Sequence, residues 1–398
     1  MHMDLARKLF ISVMALSLSV AAILTPAQSL SADPQVTSQQ VINAIHRGVN
    51  YLLAHENPKT CWETGLKIGP LRPTAKAQPI QVNQFGGETA LVAEALIDVG
   101  QSLKMPQLNI FHPAMQNALN FLTKLRPLTT YSASFQANCM TLLPRKDRYR
   151  EALRYDAHYL LTTVHSNGAY TYAHEPFLGP NPKLPGEWDN SNTQYGVLGM
   201  WAVAHAGMGV PASYWRLAAL HWRKTQYPDG AWNYVQWGFP KGPWTGYTSR
   251  WQPFTPAGVA SLFICDEYQL ESPRLNAVVD PNILRGLAYI ATHFEPNTTN
   301  LYAMYGIERV GLASGLKTFG NNDWYVDYAN TLVHNQNGDG SWGGSLGFVA
   351  EDNNVGTAYA LLILDRGLNP VLMNKLWYGK NYFGQWNSRQ RDVANFTS

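Results

Sequence analysis

The sequence alternates two kinds of helical segment, and this alternation limits the folds open to it. One kind is apolar on one face and charged on the other, and the second kind is apolar almost all round. We predict six amphipathic helices, over Val41–His55, Met115–Lys124, Tyr149–Val164, Tyr214–Thr225, Ile283–His293 and Trp324–His334. Six apolar helices are predicted between them, over Gly87–Gly100, Tyr131–Leu143, Thr193–Ala206, Pro256–Tyr268, Leu301–Ala313 and Gly356–Asp365.

Six pairs of this kind favour two concentric rings of helices. The apolar helices start near residues 88, 131, 193, 255, 302 and 356, at intervals that run from 43 to 62 residues. An open α-solenoid, the alternative, would repeat at a fixed interval. The alternation therefore predicts an all-α fold, an (α/α)6 toroid over residues 33–375, with amphipathic helices outside and apolar helices inside. No alternating β pattern of useful length is present.

The first 32 residues are predicted to be a signal peptide. Arg7 and Lys8 precede an apolar run over residues 9–24, and small residues follow, with cleavage expected between Ala27 and Ala32. Sixteen apolar residues are short for a membrane span, and no later stretch of the sequence is apolar enough for one. We therefore expect a periplasmic or secreted protein without a transmembrane segment in its mature chain, with residues 376–398 as a C-terminal tail.

Composition excludes some partners and leaves others open. Charged residues make up 14% of the chain and aromatic residues 12%, a balance that suggests a large core or an apolar cavity. The net charge is only +3, and the basic cluster over residues 145–150 is interpreted as a solvated helix start, so no nucleic-acid partner is predicted. Of the three cysteines, Cys139 and Cys265 lie in apolar runs and are predicted to be core residues.

A turn followed by an aromatic residue recurs along the chain. It reads QNGDGSWGG over residues 336–344, QYPDGAWNY over 226–234 and, in a weaker copy, HSNGAYTY over 165–172. Glycine supplies the positive φ that such a turn needs, and the indole after it can be buried while its N–H binds a carbonyl. We interpret Trp232 and Trp342 as structural residues.

An outer helix followed by Gln and a Gly-x-Trp turn resembles the repeat of squalene–hopene cyclases and protein prenyltransferase β subunits. Within that superfamily the sequence is most similar to exported bacterial prenyltransferase/squalene-oxidase repeat proteins, over roughly residues 40–368. The stretches that carry the resemblance are DNSNTQYGVLGMWA (189–202), LYAMYGIERVG (301–311), FGNNDWY (319–325) and NNVGTAYALLIL (353–364). The resemblance implies the toroid and leaves the activity undecided.

In a toroid, the segments that enter the inner helices open onto the centre, so ligand-binding residues are sought there. They combine acids and amides with aromatic faces. The predicted ligand-binding residues are Glu88, Tyr131, Trp188, Asn192, Gln194, Tyr247, Trp251, Tyr302, Tyr305 and Asn354, and the candidate catalytic residues are Asp189, Glu351 and Asp352. A structural role is open for the acids, because a side chain just before a helix satisfies free backbone N–H groups.

The known chemistry of the resembled enzymes finds weak support in the sequence. The cyclases protonate an alkene with a D-x-D-D motif, whereas residues 351–354 read E-D-N-N, and an amide cannot deliver that proton. A zinc site like that of the prenyltransferases would need Asp, Cys and His to converge, and no histidine is placed beside Cys265 and Asp266, so no metal or cofactor is predicted. A carbohydrate enzyme would use Asp189 and Asp352 as its acid–base pair.

Three hypotheses stay open from the sequence. The leading one is an exported protein that binds an apolar or extended ligand (a small molecule, lipid or glycan) in an aromatic cavity. The second is a terpenoid-cyclase-like or carbohydrate-active enzyme that uses cavity carboxylates. The third is a non-catalytic envelope scaffold that binds a protein partner.

Overall fold

A computed structural model describes residues 35–64, 84–144, 146–172, 188–234, 253–269, 280–343 and 352–367. The chain divides into two units, Met1–Val36 and Thr37–Ser398, and every helix in the described ranges lies in the second. The predicted signal peptide and the predicted tail lie outside the described residues.

The predicted all-α class is confirmed: the described ranges hold twelve α-helices in the predicted order. They are α1 (Ser38–Ala54), α2 (Gly87–Leu103), α3 (Pro113–Lys124), α4 (Thr130–Thr141), α5 (Lys146–Thr163), α6 (Asn190–His205), α7 (Ala212–Thr225), α8 (Phe254–Gln269), α9 (Pro281–His293), α10 (Leu301–Ser314), α11 (Trp324–His334) and α12 (Asn353–Asp365). A 3₁₀ turn at Pro106–Leu108 and a hairpin of two short antiparallel strands, β1 (Thr318–Phe319) and β2 (Asn322–Asp323), complete the regular structure of these ranges.

The even-numbered helices form a closed inner ring. α2, α4, α6, α8, α10 and α12 pack side by side in that order, and α12 packs against α2. The odd-numbered helices pack against them, with α3 next to α5 and α11 next to α1. The predicted toroid is therefore confirmed. Burial follows the same division, since α4 is buried at every position from Thr130 to Met140, whereas α1 buries one face.

Several helices begin before the first residue of their apolar pattern. α6 begins at Asn190 and α12 at Asn353, three residues ahead of the predicted starts. In each helix the preceding aspartate, Asp189 or Asp352, accepts a hydrogen bond from a backbone N–H of the first turn. A side-chain cap of this kind holds a polar first turn in helical form without help from apolar packing. Periodicity alone therefore places these starts too late.

Each repeated turn forms a joint between an outer helix and the inner helix that follows. The indole N–H of Trp232 donates to the carbonyl of Trp222 at 2.8 Å, and that of Trp342 donates to Leu332 at the same distance. Tyr170 does the same with its hydroxyl, at 3.0 Å from the carbonyl of Leu160. In all of these joints the aromatic residue bonds ten residues back along the chain.

The joints also bind the inner helix. The backbone N–H groups of Tyr170, Trp232 and Trp342 donate to Thr193, Thr255 and Thr357, at 3.1, 3.1 and 3.0 Å. Each of these threonines lies in the first turns of α6, α8 or α12. These contacts therefore support the structural role predicted for Trp232 and Trp342.

A fourth joint has no glycine turn, and the sequence search missed it. The indole of Trp62 donates to the carbonyl of Leu52 at 2.8 Å, and its backbone N–H lies 3.4 Å from the Thr89 hydroxyl. Cys61 precedes it with a φ of 55°, so the positive backbone angle falls on a residue that rarely adopts it. Cys61, Cys139 and Cys265 are all buried and unpaired, which fits the core role predicted for the last two.

The joint glycines lie against the backbone of the next outer helix. Gly230 and Gly340 have φ values of 95° and 92°, and a Cβ built on them would lie 2.3 Å from the Arg285 carbonyl oxygen and 2.6 Å from that of Arg47. Arg47 belongs to α1, so the last joint of the chain packs on the first outer helix. Gln336 adds a hydrogen bond from its side-chain amide to Ala44 of α1, at 2.9 Å. The contact between a joint glycine and the next outer helix therefore also connects the last joint to the first outer helix and closes the outer ring.

Candidate functional site

One face of each of three inner helices points at the centre of the ring. On α4, Tyr131, Phe135 and Asn138 keep 8, 5 and 7% of their surface exposed, whereas Ala133 and Ala137 between them are fully buried. The spacing of the partly exposed residues is that of one helix face. Ser191 and Leu198 form the same pattern on α6, as do Tyr302, Tyr305 and Arg309 on α10. The interior therefore contains a narrow space that these side chains line.

Two pairs of tyrosines meet across this space. The hydroxyls of Tyr131 on α4 and Tyr302 on α10 lie 3.3 Å apart, and those of Tyr195 on α6 and Tyr359 on α12 lie 2.8 Å apart. In a ring of six helices, α4 is opposite α10 and α6 is opposite α12. Both pairs therefore span the ring. Tyr195 and Tyr359 are almost completely buried, at 1% each, so this pair fills the centre, whereas Tyr131 and Tyr302 keep 8% and 7% of their surface exposed.

Tyr302 is the centre of a buried hydrogen-bond network. Its hydroxyl lies 2.9 Å from the Ser191 hydroxyl and also accepts from the side-chain amide of Gln194. Gln194 in turn accepts from Arg309 at 3.0 Å. Burial raises the pKa of Tyr302 to about 12, so its phenol stays protonated and serves as a neutral donor and acceptor. Predicted binding residues on α4, α6 and α10 thus meet at one point.

Aromatic side chains continue from this network toward the start of the inner helices. Tyr172 stacks on Tyr131 with ring centroids 6.1 Å apart, and its hydroxyl lies 3.2 Å from that of Tyr234. Tyr234 contacts Phe254 edge to face. Trp188, a predicted binding residue, is half-buried there with its edge against His221. Tyr247 and Trp251, also predicted, lie outside the described residues.

At the other end of the interior the side chains are charged. Arg366 donates to Glu308 at 2.7 Å and to Asp98 at 3.4 Å, which makes a three-residue ion network in which Glu308 is buried and Arg366 is partly exposed. Glu94 on α2 is buried nearby with one carboxylate oxygen unpartnered among the described residues. Burial, and then the charge of Asp98, raise the pKa of Glu94 to about 8, so this carboxyl is protonated at neutral pH.

The predicted acids at the starts of the inner helices cap them. Asp189 accepts from the backbone N–H of Asn192 at 2.7 Å and from its side-chain amide at 2.8 Å, and burial raises the pKa of Asp189 to about 6. Asp352 accepts from the backbone N–H of Asn354 at 2.7 Å. Capping occupies oxygens that an acid–base mechanism would need. Glu351 lies outside the described residues.

Glu88 and Asp352 share one partner, Thr64. The Thr64 backbone N–H donates to Glu88 at 2.7 Å, and its hydroxyl binds both carboxylates. Burial, and then the negative charge of Asp352, raise the pKa of Glu88 to about 8. These contacts tie the segment after the Trp62 joint to α2 and α12.

Glu94, Glu308 and Arg309 were missed as candidate site residues. All three lie inside helices predicted to be apolar, away from the helix starts where the candidate site residues were predicted. A charged residue within an otherwise buried helix is costly unless it has a partner or a task. The presence of charged residues within the apolar segments 87–100 and 301–313 would therefore have indicated these three positions. No group of three metal-ligating side chains is found within the described ranges.

No protein-family model matches the sequence, and no curated protein sequence matches it. Solved structures do match. The chain has a terpenoid cyclase-like α/α toroid fold, the fold that the sequence resemblance predicts.

Among the similar structures is the type II terpene cyclase MstE from Scytonema in its apo form, with a TM-score of 0.53 over 84% of this chain and 99% of that chain, at 13% identity. A complex of a variant of the same enzyme with its substrate, geranylgeranyl dihydroxybenzoate, gives a TM-score of 0.51 over 83% and 98%, at 14% identity. A likeness at this level of identity concerns the fold.

Proposed function

We propose that the protein binds an extended apolar ligand of the isoprenoid class inside its inner ring. The observation that carries this proposal is the tyrosine-lined space between α4, α6, α10 and α12. Tyr131 and Tyr302 line it with partly exposed rings, and the buried pair of Tyr195 and Tyr359 crosses it; in each pair the hydroxyls contact each other. Rings with satisfied hydroxyls present apolar surface, which suits a hydrocarbon chain.

The structural neighbours support the choice of ligand class. Geranylgeranyl dihydroxybenzoate and merosterolic acid A occupy variants of the Scytonema enzyme as substrate and product. The space in this chain is narrower than such a ligand, since tyrosines meet across it. A ligand that passes both pairs must separate the Tyr131–Tyr302 contact, which at 3.3 Å is long for two hydroxyls, and the Tyr195–Tyr359 bond, which at 2.8 Å is of ordinary length.

Proton-initiated cyclisation is the second candidate function, and buried Glu94 is the observation that favours it. This carboxyl carries a proton at neutral pH and shares the ring interior with the tyrosine faces. However, a carboxylic acid whose pKa is about 8 is weaker than an ordinary glutamic acid, and an alkene accepts a proton only from a strong acid. Ligand binding therefore stands ahead of cyclisation.

Export remains part of the proposal. The apolar run over residues 9–24 behind two basic residues supports it, although these residues lie outside the described ranges. Within the described residues, no helix combines the length and the hydropathy needed to cross a bilayer.

A blocking substitution tests the binding site. Leu198 faces the interior from α6, and Leu198→Trp would fill the space, whereas Leu220→Trp places the same indole on the exposed side of α7. We expect geranylgeraniol to bind the parent and L220W proteins and not L198W, measured by titration calorimetry. Equal binding by all three proteins, or by none of them, would overturn the proposal.

Turnover is tested in the same samples. The protein is incubated with geranylgeraniol, and the extract is searched by gas chromatography and mass spectrometry for an isomer of unchanged mass. An isomer that forms with the parent protein and not with Glu94→Gln would establish cyclisation. Binding without an isomer leaves the protein a binder.

A further inference from the structure

Arg309 is a buried arginine that forms no ion pair with any carboxylate of the described residues. Its side chain is 8% exposed, on the same face of α10 as Tyr302 and Tyr305. One of its terminal nitrogens donates to Gln194 at 3.0 Å, and the other, Nη2, has no partner in the described part of the chain. The ring of Tyr305 lies 6.0 Å from its charged centre. A buried guanidinium is therefore held in place by neutral groups.

By contrast, the neighbouring Arg366 does form ion pairs. Arg366 binds carboxylates of both Glu308 and Asp98. Glu94 is close enough for its charge to interact with Arg309, yet the two form no ion pair within 4.0 Å. Each of them has a buried atom without a hydrogen-bond partner among the described residues, Nη2 of Arg309 and Oε2 of Glu94, and so does Glu308, at its Oε2.

An isolated buried charge is costly, by several kcal/mol for a single ion. A protein that keeps one in its interior gains if a ligand supplies the opposite charge. Protonated Glu94 can add a second donor to the same anion, because burial keeps the pKa of this carboxyl at about 8.

The net charge of the surroundings limits the anion. Arg309 and Arg366 carry two positive charges, and Glu308 and Asp98, both bound to Arg366, carry two negative ones, so the four side chains sum to zero. A monoanion at Arg309 therefore adds the smallest negative charge that an anionic ligand can add. A diphosphate would place further negative charge beside Glu308 and Asp98, which is unfavourable in a buried site.

We propose that Arg309 binds the carboxylate of the ligand, so that the ligand is an apolar chain with a single carboxylic acid at the end that lies deepest in the ring. The inference rests on the proposed function, since it names the head group of the ligand bound along the tyrosine faces. The tail then lies between the tyrosine pairs and the starts of the inner helices.

The test compares three ligands of one chain length on the full-length protein: geranylgeranoic acid, geranylgeraniol and geranylgeranyl diphosphate. A charge-assisted hydrogen bond in a buried site should favour the acid over the alcohol by about 10- to 100-fold in Kd. We expect the diphosphate to bind no better than the acid. Calorimetry gives all three values without any substitution.

Two variants locate the effect. Arg309→Gln should bring the Kd of the acid to within about threefold of the Kd of the alcohol, so the ratio of the two values is the readout. Arg216→Gln, an exposed cation on α7, is the matched control and should keep the preference. Thermal melts check that each variant is folded, and if R309Q is not, the comparison of ligands on the parent protein decides.

The outcomes separate the two proposals. If the alcohol and the acid bind equally well to the parent protein, the carboxylate site is wrong and the apolar site stands. If none of the three ligands binds, both proposals fail. A diphosphate that binds best, or an acid preference that survives in folded R309Q, also overturns the role of Arg309.

Discussion

Aromatic residues occur both at the joints and in the ring interior, but they have different roles in the two regions. At the joints, the side chain of an aromatic residue donates to a carbonyl ten residues back, and its backbone N–H donates to a threonine of the next helix. In the interior, tyrosines meet partners 164 and 171 residues away. The first kind of contact recurs as a local motif, and the second exists only once the ring is closed. Aromatic content alone therefore does not distinguish scaffold from site.

The largest expected effect comes from emptying a joint. Trp342 is buried against Gly48 of the first outer helix and donates to Leu332. Trp342→Ala should lower the free energy of unfolding by about 3–5 kcal/mol, measured by urea denaturation. Trp342→Phe, which keeps most of the apolar area and loses the indole N–H, should lower it by roughly 1–2 kcal/mol. Equal losses in the two variants would mean that burial adds little to the hydrogen bond.

The second prediction concerns the pH dependence of the interior. The folded-state pKa of Glu94, about 8, lies above its unfolded value, so between these values the native state holds the extra proton. Its contribution to the free energy of unfolding therefore decreases as pH rises from about 4.5 to 8.

Glu94→Gln removes this titration. We expect the variant to gain about 4 kcal/mol over the parent protein at pH 9 and to lie close to it at pH 4.5, from denaturation at both values. Asp147→Asn, on an exposed position of α5, is the control and should behave like the parent protein at both pH values. A stability difference between E94Q and the parent that stays constant with pH would contradict the assignment.

The third prediction separates two glycines of one turn. A Cβ at Gly340 would lie 2.6 Å from the Arg47 carbonyl oxygen at a φ of 92°, whereas Gly338 has no atom within 4 Å of that position. Gly340→Ala should cost about 2 kcal/mol of unfolding free energy, and Gly338→Ala less than about 0.5. If both substitutions are neutral in thermal melts, the joint does not depend on close backbone contact.

The smallest effect is expected from the interior hydroxyl. Tyr302→Phe removes the bonds to Ser191 and Gln194 and keeps the ring, so the unfolding free energy should fall by only about 1 kcal/mol. Binding of geranylgeraniol should be unchanged, because the apolar wall remains. A loss of affinity greater than tenfold in calorimetry would show that the hydroxyl binds the ligand directly.

The sequence predicted the ring because each layer of the fold leaves a characteristic pattern. An outer helix must bury one face, which recurs every 3.6 residues, whereas an inner helix must bury nearly all of its surface and is apolar throughout. The joints at Trp232 and Trp342 were visible because glycine at a positive φ is a local requirement. The Trp62 joint was not visible, since Cys61 takes up the unusual angle and no turn motif marks it.

The candidate site was predicted only in part. Tyr131, Gln194 and Tyr302 meet as expected of residues near the starts of the inner helices. Tyr195, Glu94 and Arg309 were not predicted, because what their side chains face depends on which helices lie opposite one another in the ring. Asp189 and Asp352 show a different limit of the sequence. An acidic residue just before a helix looks the same in the sequence whether its side chain caps the helix or takes part in catalysis.

Closure of the outer ring affects how the molecule can come apart. In a linear stack of helix pairs, the terminal pair has one neighbour and frays first. Here Gln336 and Gly340 bind α1, so the first and last outer helices support each other and neither is terminal. Opening the ring at any joint removes contacts on both sides at once. Hydrogen exchange should therefore report one common opening free energy for all the inner helices, without a gradient along the chain.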